Sequence, residues 1–322
     1  MTHPLGVDGV RELAVVERSG LVESRHLGAA IVVAPGGETV RTIGDVGALI
    51  YPRSTLKPLQ AIAVLHSGVS LDSERLVLAS ASHAGTPDHI RVVREILSAA
   101  DLDESALQCP TDWPLDRATR DALVIAGGTA APIYMNCSGK HAAFLLACVR
   151  NGWPTDNYLD ESHPLQKLIR ATIEEFTSEP VKHSGVDGCG APVHAVTLAG
   201  LARAISRVVS GADPDAARLT AAILANGWAI DGPSRPNTVV IEELRVVAKG
   251  GAEGVMVVGT PSGHAVALKI LDGNLRAATL IGLELLVVAG AIDRAGADRV
   301  IAMTTERVLG GGQPVGELRV TA

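Results

Sequence analysis

Aromatic residues are scarce in this chain of 322 residues, which has only three Trp, three Tyr and two Phe. The length still allows a substantial core, in one large domain or two small ones, and that core must be built from Ala, Val, Leu and Ile. The chain also lacks a basic stripe, and its net charge is −7. This balance argues against nucleic acid and anionic membranes as partners.

The sequence has no pattern typical of a membrane span or of a secretory leader. Its longest apolar stretch, about 280–292, includes Glu284 and is too short to cross a bilayer. Residues 1–8 lack the basic and apolar regions of a signal peptide. We therefore expect a soluble, cytoplasmic protein with no membrane partner.

Only four cysteines are present, and in a reducing compartment they favour buried, metal-binding or reactive thiols over disulfides. Cys148 lies in an apolar run and is predicted to be a core residue, and Cys109 carries no further signal. Cys137 and Cys189 lie in the polar, glycine-bearing segments NCSGKH and VDGCG. Such segments often hold functional groups on loops or at helix starts.

The first candidate for chemistry is the S-x-x-K element formed by Ser54 and Lys57, just before the apolar run 58–65. On a helix, residues three apart share a face, so the hydroxyl and the amine would come within reach of each other. A partly buried lysine can act as the base that a serine nucleophile needs. The pattern resembles the nucleophile signature of serine β-lactamases and penicillin-binding proteins. The alternative is a serine N-cap with a solvated lysine.

A second lysine, Lys249, lies between two apolar strand patterns and is followed by the small-residue turn GGAEG. This layout resembles the K-T-G element of the same superfamily, in which a lysine on an edge strand flanks the nucleophile. Glycines suit a close approach of backbone to a ligand, although an ordinary hairpin turn would use them equally well. Lys269, in a later apolar strand, is the rival for this role.

The order of the elements predicts a mixed α+β fold of β-lactamase or penicillin-binding-protein type. Strand patterns fill 12–48 and 238–272, a helical stretch follows at 276–294, and the middle of the chain is mainly helical. We expect a single unit, 1–322, whose sheet is built from both chain ends (1–53 and 235–322) around an inserted helical subdomain (54–234). The candidate helices of that subdomain are 55–66, 87–99, 116–126, 140–150, 162–176, 192–210 and 214–229.

Five segments, in order, resemble the bacterial asparaginase II family, the rhizobial-type, thermolabile L-asparaginases. They are RSTLKPLQ from 53, SHAGTPDH from 82, NCSGKHA from 136, DGCGAP from 187 and KGGAEG from 249. The resemblance therefore covers nearly the whole chain. It implies hydrolysis of L-asparagine to L-aspartate and ammonia. Thr86 departs from the pattern, because an acidic residue is expected there, and this puts a role for that side chain in doubt.

The resemblance also implies a zinc ion held by Cys137, Lys140 and Cys189. Two thiolates suit zinc, and a site with one open position is typical of a reactive zinc. Lysine is a rare ligand because its amine must lose a proton, which a nearby dication favours. From the residues alone, a helix start and a tight turn with no metal are the alternative.

Within this hypothesis Ser54 is the nucleophile and Lys57 its base, and Ser82 completes a proton relay with Lys249. A helix-capping serine is the alternative for Ser82. His83 and His89 are expected to be structural. The predicted substrate-binding residues are Arg53 for the α-carboxylate, Asp187 and Glu253 for the α-ammonium, and His141.

Two other functions remain open from the sequence. One is a serine esterase, or a β-lactam or glutamine hydrolase, that uses Ser54 and Lys57 without a metal. The other is a non-catalytic amino-acid-binding protein of the same fold. One methylene discriminates substrates only by about 1–3 kcal/mol, so glutamine is not ranked far below asparagine. A homodimer is expected.

Overall fold

The computed structural model describes residues 3–211 and 213–322, and its largest element is an eight-stranded antiparallel sheet. The strand order is β11-β12-β1-β2-β10-β9-β8, and β3 also pairs with β2. Two short pairs, β4 with β7 and β5 with β6, lie outside this sheet. The strands are β1 (Arg11–Arg18), β2 (Leu21–Val33), β3 (Thr39–Ile43), β4 (Leu49–Ile50), β5 (Ser184–Val186), β6 (Pro192–His194), β7 (Val196–Thr197), β8 (Val247–Gly251), β9 (Val255–Gly259), β10 (Ala265–Ile270), β11 (Val308–Gly310) and β12 (Gln313–Val320).

Most of the helices lie between β4 and β8, and two follow the last buried strand. Short 3₁₀ turns connect some of them, including one at Arg53–Leu56. The helices are α1 (Lys57–His66), α2 (Ser73–Ser80), α3 (Pro87–Ser98), α4 (Arg117–Ile125), α5 (Ser138–Asn151), α6 (Pro164–Thr177), α7 (Leu198–Val209), α8 (Pro214–Ala225), α9 (Pro236–Leu244), α10 (Ala278–Val288) and α11 (Arg294–Thr304).

The pairing of β2 with β10 joins the two ends of the chain, with Ile31 opposite Ala267 and Ala29 opposite Lys269. Both strands contain continuous apolar runs, and nearly all the residues that pair between them, 28–33 of β2 and 265–270 of β10, are buried. Such runs suit a sheet covered on both faces, and here α7 contacts β2 and β10 while α10 contacts β10 and β9. The predicted α+β class, with a sheet built from both chain ends, is therefore confirmed.

A core with few aromatic side chains packs its helices closely. A Cβ at Gly139, in the first turn of α5, would lie 2.7 Å from the carbonyl oxygen of Leu78 in α2. Only glycine permits this approach, which fixes the start of α5 against α2. The segment that carries Cys137 and Lys140 is thereby held in place.

Several helix predictions are confirmed within one or two residues at each end, including 87–99, 116–126 and 140–150. Others are wrong in part. Residues 192–197 form strands rather than the start of a helix, and 236–244 is a helix although the sequence pattern predicts strands from 238. The run Thr238–Ile241 is β-branched, but Pro236 begins a helix there and tertiary packing overrides the propensity. Also missed were α2, α11, β11 and β12.

No helix within residues 3–211 and 213–322 is both long enough and apolar enough to cross a membrane.

Candidate active site

The end of β8 lies against the 3₁₀ turn that carries Ser54. A Cβ at Gly251 would be 2.8 Å from the carbonyl oxygen of Pro52 and 3.2 Å from the backbone nitrogen of Ser54. The two backbones therefore touch, and a glycine is needed at the contact. This contact brings β8, with Lys249 at its centre, beside the turn that leads into α1.

Two buried lysine amines meet at one serine hydroxyl. Lys57 Nζ donates to Ser82 Oγ at 2.9 Å, and Lys249 Nζ donates to the same oxygen at 2.8 Å. Each amine has a second acceptor, the carbonyl of Ala81 for Lys57 at 2.6 Å and that of Gly250 for Lys249 at 2.9 Å. Ser82 lies in the loop after α2, where its backbone N–H donates to the carbonyl of Ile230.

Burial and the positive charge of nearby Lys57 together lower the pKa of the Lys249 amine to about 7. The chain gives this amine no carboxylate partner at hydrogen-bond distance within the described residues. An amine with this pKa is neutral in a large fraction of molecules near pH 7, as a proton acceptor must be.

Ser54 lies on the wall of the same cavity as Ser82, and its hydroxyl has no hydrogen-bond partner among the described residues. The sequence pattern predicted the Lys57 amine on Ser54, but in the structure that amine contacts Ser82 instead. The reason is local: Ser54 is in a 3₁₀ turn, and α1 begins only at Lys57. The two residues therefore do not share one face of a regular α-helix.

The cavity has a volume of about 670 Å³. Ser54, Ser82, Asn136, Gly250 and Gly251 are among the residues that line it. Three polar residues also line it, namely Asp231 and Arg235 from the loop before α9 and Asn237 from the first turn of α9. Sequence reasoning missed this group. The available signal was the loop sequence DGPSRPN, which is polar and rich in Pro and Gly between two helices.

Arg53 and Asp187, both predicted to bind substrate, contact each other. Arg53 Nε donates to Asp187 Oδ1 at 2.7 Å, and Arg53 Nη1 lies 3.9 Å from Glu253 Oε1. Arg53 has a φ of 53° and Glu253 a φ of 63°, a region that few non-glycine residues adopt. Strained backbone of this kind clusters at functional sites, and here it flanks the Ser54 turn.

The predicted zinc ligands lie together in a buried region next to Asn136. Lys140, in the first turn of α5, donates to Cys189 Sγ at 3.1 Å. Cys189 lies in the tight turn between β5 and β6, and Cys137 Sγ, which donates to Asn136 Oδ1 at 3.0 Å, lies near the Cys189 sulfur. All three side chains are buried.

The charges of this cluster favour a single thiolate beside an ammonium. The neighbouring thiol of Cys137, together with Lys140 and His141, holds the pKa of Cys189 far below its usual range. The proximity of Cys189 and burial raise the pKa of Cys137, and the negative sulfur of Cys189 outweighs burial and raises the pKa of Lys140. Two sulfurs and an amine are donors that zinc accepts, once Cys137 and Lys140 have lost their protons.

His141 lies beside the cluster but is enclosed. Its Nδ1 is 2.8 Å from the Tyr158 hydroxyl. Its buried Nε2 has no hydrogen-bond partner within the described part of the chain. Cys189 lies close enough to His141 to influence the pKa of its imidazole. An unsatisfied buried nitrogen beside the cluster of two thiols and one amine suits a site built for an ion, so the residues fit zinc.

The remaining predicted or rival side chains have structural contacts. His83 Nδ1 accepts from the Gly85 N–H at 3.2 Å, so its Nε2 donates to Ser138 Oγ at 2.9 Å. Thr86 and His89 form the reciprocal cap at the start of α3, and burial lowers the pKa of His89 to about 4. Lys269 donates to the carbonyls of Glu253 and Ile270 rather than to Ser82.

One further group of possible ligands lies at the surface, where His66, Asp213 and Asp215 approach one another. Asp213 already caps α8 by accepting from two backbone N–H groups. Asp215 pairs with Arg218 at 2.8 Å. These contacts satisfy the carboxylates, so the cysteine cluster is the better metal site.

Comparison with known proteins assigns the chain to a family of amidohydrolases. Residues 14–320 match the family model of L-asparaginase II, and the chain belongs to this family. The family resemblance read from the five sequence segments is therefore confirmed. No curated protein matches the sequence significantly.

Solved structures resemble the chain only distantly. A beta-lactamase from Mycobacterium bovis has 18% sequence identity and a TM-score of 0.46, with 87% of this chain and 95% of that chain covered. Mglu in its glutamate form has 13% identity and a TM-score of 0.39, with coverage of 82% and 61%. The native form of Mglu has 12% identity and a TM-score of 0.41, with coverage of 83% and 66%.

Proposed function

We propose that the protein hydrolyses the side-chain amide of L-asparagine to L-aspartate and ammonia, with Ser54 as nucleophile and Lys57 as its base. Family membership supports an amidohydrolase acting on asparagine. The observation that carries the mechanism is the pair of buried amines on Ser82, at the wall of the cavity that Ser54 also lines.

The first half of the reaction forms an ester. The Ser54 oxygen attacks the amide carbon, and the hydroxyl proton passes to Lys57, while Lys57 gives up a proton through Ser82 Oγ to the neutral amine of Lys249. When the C–N bond breaks, the nitrogen takes a proton back from the lysine pair and leaves as ammonia. Ser82 connects the two amines, so a proton held at one lysine is shared with the other.

The second half restores the enzyme. A water molecule attacks the aspartyl ester, its proton goes to the same lysine pair, and the Ser54 oxygen leaves as a hydroxyl once it has been reprotonated. The neutral state of Lys249 is central in both halves, because its nitrogen lone pair then accepts from the Ser82 hydroxyl. The chain thus needs one neutral amine at the start of each step, which the proximity of two buried lysines favours.

We also propose that Cys137, Lys140 and Cys189 hold one zinc ion. A bound zinc would supply a Lewis acid at these three residues. Asp187 orients this region from the turn that carries Cys189, through its bond to Arg53. A homodimer and a cytoplasmic location remain predictions from the sequence.

The experiment is ammonia release by the purified protein from L-asparagine and L-glutamine, with and without added zinc. Faster release from asparagine, stimulated by zinc, is the expected result. Ester or β-lactam cleavage without ammonia release from either amide would favour the metal-free serine hydrolase. Binding of asparagine with no turnover would favour the amino-acid-binding protein.

A further inference from the structure

Two arginines line the cavity, and they differ in what their guanidinium groups contact. Arg276 donates through Nε to His26 Nε2 and through Nη2 to Ser24 Oγ, both at 2.8 Å. Arg235 donates only through Nε, to Asp231 Oδ1 at 2.5 Å. Within the described residues, both terminal nitrogens of Arg235 lack a hydrogen-bond partner. They are therefore available to a ligand.

The side chain of Arg235 is held in position by a neighbour that is itself buried and hydrogen-bonded. Asp231 is 5% exposed, and its second oxygen accepts from Asn237 Nδ2 at 2.8 Å. Asn237 Oδ1 in turn accepts from the backbone N–H of Gly250 at 2.9 Å, next to Lys249. The Arg235 guanidinium is thus held in a defined relation to the strand that carries the catalytic lysine, and its side chain is 40% exposed.

The charges at this wall favour an anionic ligand. The cavity is lined by the carboxylates of Asp231 and Glu306 and by the guanidinium groups of Arg235 and Arg276, and the amines of Lys57 and Lys249 meet at Ser82 on its wall. A guanidinium with two free outer nitrogens offers a planar pair of donors that matches a carboxylate. Arg53, the residue predicted from the sequence, instead has its Nε on Asp187 and its Nη1 near Glu253.

We propose that Arg235 binds the α-carboxylate of the amino-acid substrate and thereby selects amides that carry a free carboxylate. This inference rests on the proposed function, since it names the partner of one substrate group in the same cavity. By this inference, Arg53 holds the turn that carries Cys189, through its bond to Asp187, and does not contact the substrate.

The test compares L-asparagine with L-asparagine α-methyl ester, in which the carboxylate is neutral and the side-chain amide is unchanged. For wild type, kcat/KM for ammonia release is expected to be higher with the free acid. In Arg235→Met the KM for asparagine should rise about ten- to a hundredfold with kcat changed far less, and the preference for the free acid should disappear. Arg235→Lys keeps the charge without the paired donors, so its KM for asparagine and its preference for the free acid should lie between those of wild type and Arg235→Met.

Arg276→Met is the matched control, because Arg276 lines the same cavity with its donors already engaged, and it should keep the preference for the free acid. The inference is overturned, and the asparaginase activity is left in place, if folded Arg235→Met retains this preference. If Arg235→Met does not fold, an Arg235→Lys variant with the KM and the preference of wild type overturns it instead. If wild type binds asparagine in calorimetry without hydrolysing it, loss of that binding in Arg235→Met supports the inference and overturns the proposed function. Absence of both turnover and binding in wild type overturns both.

Discussion

Lys249 and Ser82 are 167 positions apart in the sequence, and Lys249 Nζ donates a 2.8 Å hydrogen bond to Ser82 Oγ. The contact depends on the sheet, because β8 is placed beside the Ser54 turn only when the two chain ends have paired. Lys57 reaches the same oxygen from α1 at 2.9 Å. A nucleophile candidate, a relay serine and two amines are thus assembled from three separate parts of the chain.

The pH dependence of activity should follow Lys249. Its amine has a pKa of about 7 in the folded protein, and only the neutral form accepts a proton. Activity should therefore be low in acid and rise as the pH increases through about 7. The measurement is kcat/KM for ammonia release as a function of pH. A profile that stays flat through this interval contradicts the role of Lys249.

Replacing Lys249 by methionine should separate activity from stability. The substitution keeps much of the stem and removes an amine whose burial is unfavourable, so we expect a loss of turnover of about a hundredfold or more with little loss of thermal stability. Lys269→Met is the control, because that amine contacts the carbonyls of Glu253 and Ile270, and its turnover should remain near wild type. Equal losses in the two variants would argue against a specific role for Lys249.

Lys249 should also make stability depend on pH with a defined sign. Its folded pKa is about 7, below the value of about 10.4 expected in the unfolded chain, so the unfolded chain binds more protons between these limits. This residue therefore makes the protein more stable as the pH rises from about 7 toward 10. The test is the denaturant midpoint of wild type and of Lys249→Met, measured over this pH interval. The increase in stability that comes from Lys249 should be present in wild type and missing in the variant.

Gly251→Ala should damage the site through the backbone. The added Cβ would lie 2.8 Å from the Pro52 carbonyl oxygen, which cannot move without displacing the Ser54 turn. We expect a destabilisation of about 1–3 kcal/mol and a marked loss of turnover. Gly250→Ala is the neighbouring control, since its nearest contact is Asn237 Oδ1 at 3.5 Å, and its melting temperature should change much less. Similar melting temperatures for the two variants would contradict the account of this contact.

The zinc proposal predicts that Cys137→Ser and Cys189→Ser each weaken metal retention. Cys109→Ser is the control, because that thiol donates to the Pro132 carbonyl outside the proposed ligand set. Elemental analysis of protein purified without chelator should find about one zinc per chain in wild type and in the control. Absence of zinc in active wild type, with Cys137 and Cys189 freely alkylated, would remove the metal and leave the serine–lysine chemistry unaffected.

Much of the site could be predicted from sequence because short motifs keep their residues together. Ser54 and Lys57, Cys137 and Lys140, and Lys249 with its glycines were each recognisable locally. The pairing of the chain ends followed from strand patterns on either side of a helical middle. These inferences depend only on local spacing and element order.

The partner of the Lys57 amine could not be predicted, because it depends on exact backbone geometry. The 3₁₀ turn before α1 leaves the Lys57 amine on Ser82, a residue 25 positions away. Likewise, the helix that begins at Pro236 was hidden by a β-branched run, and with it the loop that carries Arg235. A single arginine in a polar loop has no periodicity that distinguishes it from a solvated one.

The central claim is tested most directly by the rate of ammonia release from L-asparagine in Ser54→Ala. The Ser54 hydroxyl has no hydrogen-bond partner among the described residues, so its removal should leave the melting temperature unchanged. The account predicts a rate at least about a hundredfold below wild type in this folded variant. A rate close to that of wild type would contradict it, and would show that Ser54 is not the nucleophile.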